Sequence, residues 1–348
     1  MQIARTDELE LLTVLHSGMH ERPIWGQFLG RFVRRVGADS ARLVVARGEA
    51  AIEVAARPFS RQVEMRTRAL GEPGDAVPYG SLRPHRVYAF AEFLTPPAGQ
   101  GRVLRADGED LSAWLVVHNH EHEVSPSNVS LMSALAPHLS VALANHAALE
   151  RGRLEHQVSD WALGRLGRGW LALTASGRVV AADELGERLL NEGLRLRRSA
   201  DRRLMAGSAE ANQRLSRAIE AAAADPGGGT RAVRIAEEPR LELLIAPLAA
   251  DEADGPIFDA ALVAHVQVAP PLAEEPVPAL CALFDLSPAV ARMAWALGRG
   301  GGVGEAAAEL GLTRETARFY SKAVYAKLGV RGQAELARRL LTSTAALA

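Results

Sequence analysis

A single cysteine, Cys281, in 348 residues rules out any disulfide within the chain, and with it the stapled miniprotein class. A reducing compartment is the expectation. No apolar run reaches the roughly 18 residues that cross a bilayer, and the opening MQIARTDELELL lacks the apolar stretch of a secretory signal. The chain is therefore expected to be cytoplasmic, with no membrane partner. A GxxxxGK[ST] phosphate loop, the acidic cluster and lysine of a phospho-receiver domain, and any repeat of about 20 to 50 residues are missing as well. Histidines and acids such as His85, Asp107, Glu109 and Asp110 occur, but no spacing joins a nucleophile, a base and an oxyanion donor. The expectation is a protein that is not an enzyme and carries no cofactor.

What is present points to a modular chain. At about 100 to 200 residues per domain, 348 residues hold two or three domains. The net charge of −1 argues against wholesale coating of nucleic acid, yet it conceals a local excess. Between Thr313 and Leu340 seven cations, Arg314, Arg318, Lys322, Lys327, Arg331, Arg338 and Arg339, face only Glu315 and Glu335. Lys322 and Lys327 are also the only lysines in the chain.

Periodicity divides the rest. In residues 1–150, Trp25, Phe28 and Phe32 recur at helical spacing, and the runs opening at Ala41, Ala51 and Ala113 read as short strands, an α+β pattern. A long helix follows Ser125-Pro126, with Leu131, Leu135, Leu139, Ala142, His146 and Leu149 on one stripe and Pro137 as a possible kink. That stripe fits a dimer seam or a helix lying on its own sheet. Residues 151–168 read as a helical connector. From Gly169 to Ala269 the pattern restarts with a hairpin, a helix capped by Asp183, a helix over Glu210–Ala223 and three strands opening at Arg231, Leu241 and Ala261. Residues 270–280, with Pro270, Pro271, Pro276 and Pro278, read as an extended linker. The first region resembles a GAF domain, and the order of the second resembles a PAS domain.

Residues 281–348 carry the most specific pattern. Ser287-Pro288 opens one helix, and Gly300 to Gly302 end it. A second helix, Val303 to Leu310, stops at Gly311, and Thr313 caps a third that runs to Leu328 and stops at Gly329. In the third helix Ala317, Tyr320, Val324 and Leu328 share a face expected to be core. Arg314, Arg318 and Lys322 share another, cationic face that fits the major groove. The segment resembles the C-terminal DNA-binding domain of the LuxR family: Leu286-Ser287-Pro288, Gly300, Glu305, Ala307, Leu310-Gly311-Leu312-Thr313, Thr316, Arg318 and Lys327-Leu328-Gly329-Val330 carry the match.

The resemblance implies an all-α four-helix helix-turn-helix domain after the α+β sensor regions, with double-stranded DNA as partner. It places base-reading positions on Arg318, Phe319 and Lys322, and a dimerisation helix on Gln333 to Leu341. The expected DNA-contacting set is Arg314, Thr316, Arg318, Phe319, Lys322 and Lys327. Three departures stand out: Val290 replaces a family glutamate, and Gly304 and Ala306 replace a lysine and an isoleucine. The implied function is a homodimeric transcription regulator, touching RNA polymerase where it activates. A small-molecule effector or a protein partner controls it. Phe59, Tyr79, Tyr88, Phe90, Phe93 and Trp114 are candidates to line an effector pocket, with core packing as the alternative. His118, His120 and His122, two apart along a strand, are weak candidates for zinc or copper, the alternative being a polar strand end.

Overall fold

The computed structural model describes residues 2–60, 62–72, 75, 77–94, 99–248, 259–268 and 276–347, and the chain divides into two units, Met1–Glu155 and His156–Ala348. The first unit begins with α1 (Gln2–Ser17) and α2 (Gly26–Val36), followed by β1 (Ser40–Arg47), β2 (Ala50–Ala56), β3 (Glu64–Ala69), β4 (Val87–Ala89), β5 (Gln100–Asp107) and β6 (Ser112–Asn119). Helix α3 (Pro126–Arg165) follows and continues past the boundary at 155. The six strands form one antiparallel sheet in the order β3-β2-β1-β6-β5-β4. Leu43 and Val45 of β1 face the helices, whereas Val44 and Ala46 face a second apolar cluster. Burial on both faces is why β1 and β6 read as unbroken apolar runs rather than alternating ones.

The stripe on α3 belongs to this core. Leu131, Leu135, Leu139, Ala142 and His146 are buried with Phe28, Phe32 and Leu115 of the same unit, which excludes the seam between copies for these residues. The helix runs unbroken through Pro137, which lies on its exposed side. Residues 151–165, expected as a separate connector, are the continuation of the same helix.

The second unit contains β7 (Arg168–Leu173), β8 (Val179–Ala182), α4 (Glu184–Glu192), β9 (Leu196–Arg198), β10 (Leu204–Ala206), α5 (Ala209–Ala224), β11 (Arg231–Ala236), β12 (Leu241–Pro247) and β13 (Leu262–Val268). Five strands make an antiparallel sheet in the order β11-β12-β13-β7-β8, and β9 pairs with β10. Asp183 caps α4, its Oδ1 accepting the Gly186 N–H at 2.8 Å. Leu241, Leu243 and Ile245 alternate inward with Leu262, Ala264 and Val266 against α4 and α5.

Five helices follow: α6 (Val277–Phe284), α7 (Pro288–Gly298), α8 (Val303–Glu309), α9 (Arg314–Leu328) and α10 (Gln333–Leu341). They enclose a core of their own around Leu280, Ala294, Leu297, Ala317, Val324, Leu336 and Leu340. Residues 270–275 of the expected linker lie outside the described residues, but its last part is wound into α6, with Leu280 fully buried. Pro276 and Pro278 fit there because the first N–H groups of a helix have no intrahelical acceptor. The helical core therefore starts before residue 281. Where α7 meets α10 the chains approach so closely that a Cβ on Gly298 would lie 2.4 Å from Leu340 Cδ1.

Two expectations follow for the first unit. Leu139→Ala leaves a cavity in a filled core and should lower its unfolding free energy by about 2–5 kcal/mol, read by urea denaturation; an unaltered midpoint would restore the seam. His146 is 8 % exposed, its ring 5.1 Å from that of Trp25 and its Nδ1 unpartnered among the described residues. Burial, opposed by Glu150 and assisted by Arg153, Arg22 and Arg47, holds its pKa below the ordinary 6.5. The unfolded chain thus takes up a proton at higher pH than the folded one. The associated stability is complete above about pH 6.5 and is lost as pH falls toward the lowered value. The urea midpoint should drop between about pH 7.5 and 5.5, and less so in His146→Leu; parallel curves for the two chains would exclude His146 as a cause.

Candidate nucleic-acid interface

The strongest candidate is built by α8, a turn and α9. Glu305 Oε2 accepts the Gly302 N–H at 2.8 Å, closing the start of α8. Gly311 takes φ +65°, a left-handed conformation that a side chain disfavours, and the Leu312 N–H returns to the Ala307 carbonyl at 2.8 Å. Thr313 then caps α9, its Oγ1 accepting the Thr316 N–H at 3.2 Å and lying 2.8 Å from the Thr316 hydroxyl. By contrast, Ser287 occupies the cap position of α7 without a side-chain bond to it, and Val290 has no carboxylate to offer in return.

Burial sorts α9. Ala317, Ser321, Val324 and Leu328 are buried and Tyr320 is half-buried against the core, while Arg314, Arg318, Phe319 and Lys322 are exposed. Phe319 is 69 % exposed. Arg314, Arg318 and Lys322 have no carboxylate partner among the described residues. Lys327 lies elsewhere: its ammonium donates to the Asp285 carbonyl and sits 3.0 Å from Asp285 Oδ2, tying the end of α9 to the end of α6. Of the six residues expected to touch DNA, four therefore share the exposed face, Thr316 is occupied at the cap, and Lys327 is a clasp.

Two contacts escaped the sequence. Gln333 donates from Nε2 to the carbonyls of Leu297 at 3.0 Å and Gly301 at 2.9 Å, fastening α10 to the end of α7. Glu335 Oε2 accepts the Arg331 N–H at 2.7 Å. Neither residue type announces such a role, because a glutamine or glutamate on a helix usually faces solvent.

The sensor candidates divide. Tyr79, Phe90 and Trp114 are buried, with Tyr88 and Phe93 half-buried beside them, on the sheet face away from the core that holds α2 and α3. Phe59 is fully exposed in the β2–β3 connection and does not join them. The Tyr79 and Trp114 rings meet edge-on at 5.1 Å, and the Tyr79 hydroxyl is buried without a partner among the described residues. Burial pushes the pKa of that phenol up, against the opposing pull of Arg42 and Arg68.

The histidines do not share a strand face, because β6 ends at Asn119. His120 is turned to Asp39, its Nδ1 and its backbone N–H each 2.8 Å from Oδ2, which holds the Asp39 carboxyl below its usual range. The His118 and His120 rings meet edge-on at 4.9 Å, and His122 is exposed beyond the strand. No group of three or more histidine, cysteine or acidic residues among those described is spaced to hold a metal ion. No single helix among them is long and apolar enough to cross a membrane.

No family model matches the chain, and no curated protein matches it. Among solved structures it is similar to the VqmA dimer of Vibrio cholerae, described as a LuxR-type receptor, at 14 % identity over 53 % of this chain and 86 % of that one, with a TM-score of 0.21. It is also similar to the phycoerythrobilin-bound GAF domain of a cyanobacterial phytochrome, at 12 % identity over 42 % of this chain and 97 % of that one, with a TM-score of 0.26. A third is the DhaR(N)–DhaL complex of E. coli, at 10 % identity over 78 % and 90 %, with a TM-score of 0.29. Likenesses at these TM-scores are too slight to bear on function.

Removing the Gln333 amide leaves two carbonyls without a donor. Gln333→Ala should cost about 1–3 kcal/mol, read as faster hydrogen exchange in α7 and α10 with the α9 surface unchanged. Unaltered exchange would show that water replaces the amide.

Proposed function

We propose that the chain is a sequence-specific DNA-binding transcription regulator rather than an enzyme. The turn from α8 to α9 is a helix-turn-helix, and α9 is its recognition helix. The observation that carries this reading is the exposed face of α9. Three cations without carboxylate partners among the described residues and one phenyl ring stand on it, while its other face is held in a core. Like charges four residues apart destabilise an isolated helix by about 0.2–0.5 kcal/mol per pair, a cost that a polyanionic partner removes. Guanidinium groups on such a helix donate to guanine O6 and N7 or to phosphates, and a phenyl ring fits against a thymine methyl.

The regulator acts in this reading as a homodimer. Helix α10, with Leu341 72 % exposed, is offered as the pairing surface. The GAF-like first region and the PAS-like second region are its sensors. An effector would contact the cluster around Tyr79, Phe90 and Trp114, where the Tyr79 hydroxyl is buried without a partner among the described residues.

The test selects binding duplexes from a random library with the full chain, then measures affinity against salt. Arg318→Ala should lose about 1–3 kcal/mol on the selected site and relax one position. Arg314→Ala should weaken all sequences alike and reduce the salt slope by about 1. Identical enrichment and slope in both variants would overturn the assignment of α9.

A further inference from the structure

A groove of about 640 Å³ in the first unit is lined by Gly26, Gly30, Arg31 and Arg34 of α2, with Arg22 ahead of the helix and Val63 ahead of β3. The three guanidinium groups are exposed. Arg31 stands 3.5 Å from Glu10, a long and exposed pair. Arg22 donates to the Glu21 carbonyl, at 3.2 Å, and neither Arg22 nor Arg34 has a carboxylate partner among the described residues. Glu21, the acid in the groove wall, has its Oε2 engaged by the Gln27 N–H at 3.0 Å. Three arginines thus face two carboxylates, Glu21 in the wall and Glu10 beside Arg31, and Arg22 and Arg34 have no carboxylate partner among the described residues.

Gly30 is the second observation. Glycine weakens a helix interior, and packing does not require it here: a Cβ at 30 would meet only Arg34 Nη1, at 3.8 Å. At Gly26 a Cβ would make ordinary contact with Val63 at 3.6 Å. Gly26, Gly30 and Arg34 advance by four along α2; Gly26 is buried beside Val63, and Gly30, half-buried, leaves one turn of the helix without a side chain ahead of Arg34. Guanidinium forks at the rim and a floor kept low by Gly30 suit a compact group of high negative charge.

We propose that this groove binds a small phosphorylated molecule through Arg22, Arg31 and Arg34. It is independent of the DNA reading, since α9 lies in the other unit.

The probe is inorganic pyrophosphate, titrated calorimetrically into the full chain. The expected result is one saturable site in the wild-type chain, retained when α9 carries Arg318→Ala with Lys322→Ala. The pair Arg22→Gln with Arg34→Gln should weaken binding by about tenfold or more. Gly30→Leu, which fills the floor while keeping every charge and improving helix propensity, should do the same. Circular dichroism verifies that the variants are folded. An absence of saturable binding would overturn the proposal. So would pyrophosphate binding that survives Gly30→Leu unchanged, or that disappears with the α9 cations.

Discussion

The face that α9 presents outward is set by what it buries. At 100° per residue, Ala317, Ser321, Val324 and Leu328 can lie against α7 and α8 in only one rotation, and that rotation exposes Arg318, Phe319 and Lys322 together. The entry to the helix is fixed as tightly, by the left-handed Gly311 and the Thr313 cap. The exit is held by the Lys327 clasp on Asp285. A helix pinned at both ends and along one side keeps its polar face in a constant position without contributions from that face. Its cations are then free of any structural duty, which is the condition for a preorganised binding surface.

This constraint also explains how the weak second helix survives. Gly304 lowers the helix propensity of α8, and Ala306 fills little volume in its core. The carboxylate of Glu305 compensates at one end, the return of the Leu312 N–H to Ala307 at the other, and an ion pair between Arg299 and Glu309 spans α7 to α8. The exposed ion pair adds little energy of its own.

Much of this was legible in the chain because it depends on local rules. The cap at Thr313, the turn at Gly311, the core stripe of α9 and the Asp183 cap each follow from residue type and spacing over a few positions. What was not legible depends on partners distant in sequence. Helix α6 was hidden because Pro276 and Pro278, strong linker signals, are equally at home in a first helical turn. Lys327 sits on the same basic helix as Lys322, and only Asp285, 42 residues earlier, separates their roles. Phe59 differs from Phe90 in nothing but the loop that holds it. The α3 stripe was ambiguous for a physical reason: a leucine face packs as well against its own sheet as against a second copy, and only the complementary surface of β1, β5 and β6 decides.

The same long-range logic governs the buried charges under the aromatic cluster. The Arg68 side chain is 2 % exposed and reaches Glu53 at 2.8 Å and Asp75, while Arg66 and Arg42 approach Glu53 at 3.1 and 3.7 Å. Burial works against the charge on Arg68, but the Glu53 bond and nearby negative groups outweigh it and raise its pKa. Such a network seldom adds net stability over an apolar replacement, yet losing one member strands the rest. It therefore holds β2, β3 and Asp75 in place more than it strengthens them. Tyr79, with Arg68 5.9 Å from its ring and its hydroxyl unpaired among the described residues, stands at the edge of that network. Any group that bonded this hydroxyl would satisfy a buried polar atom at the network's margin.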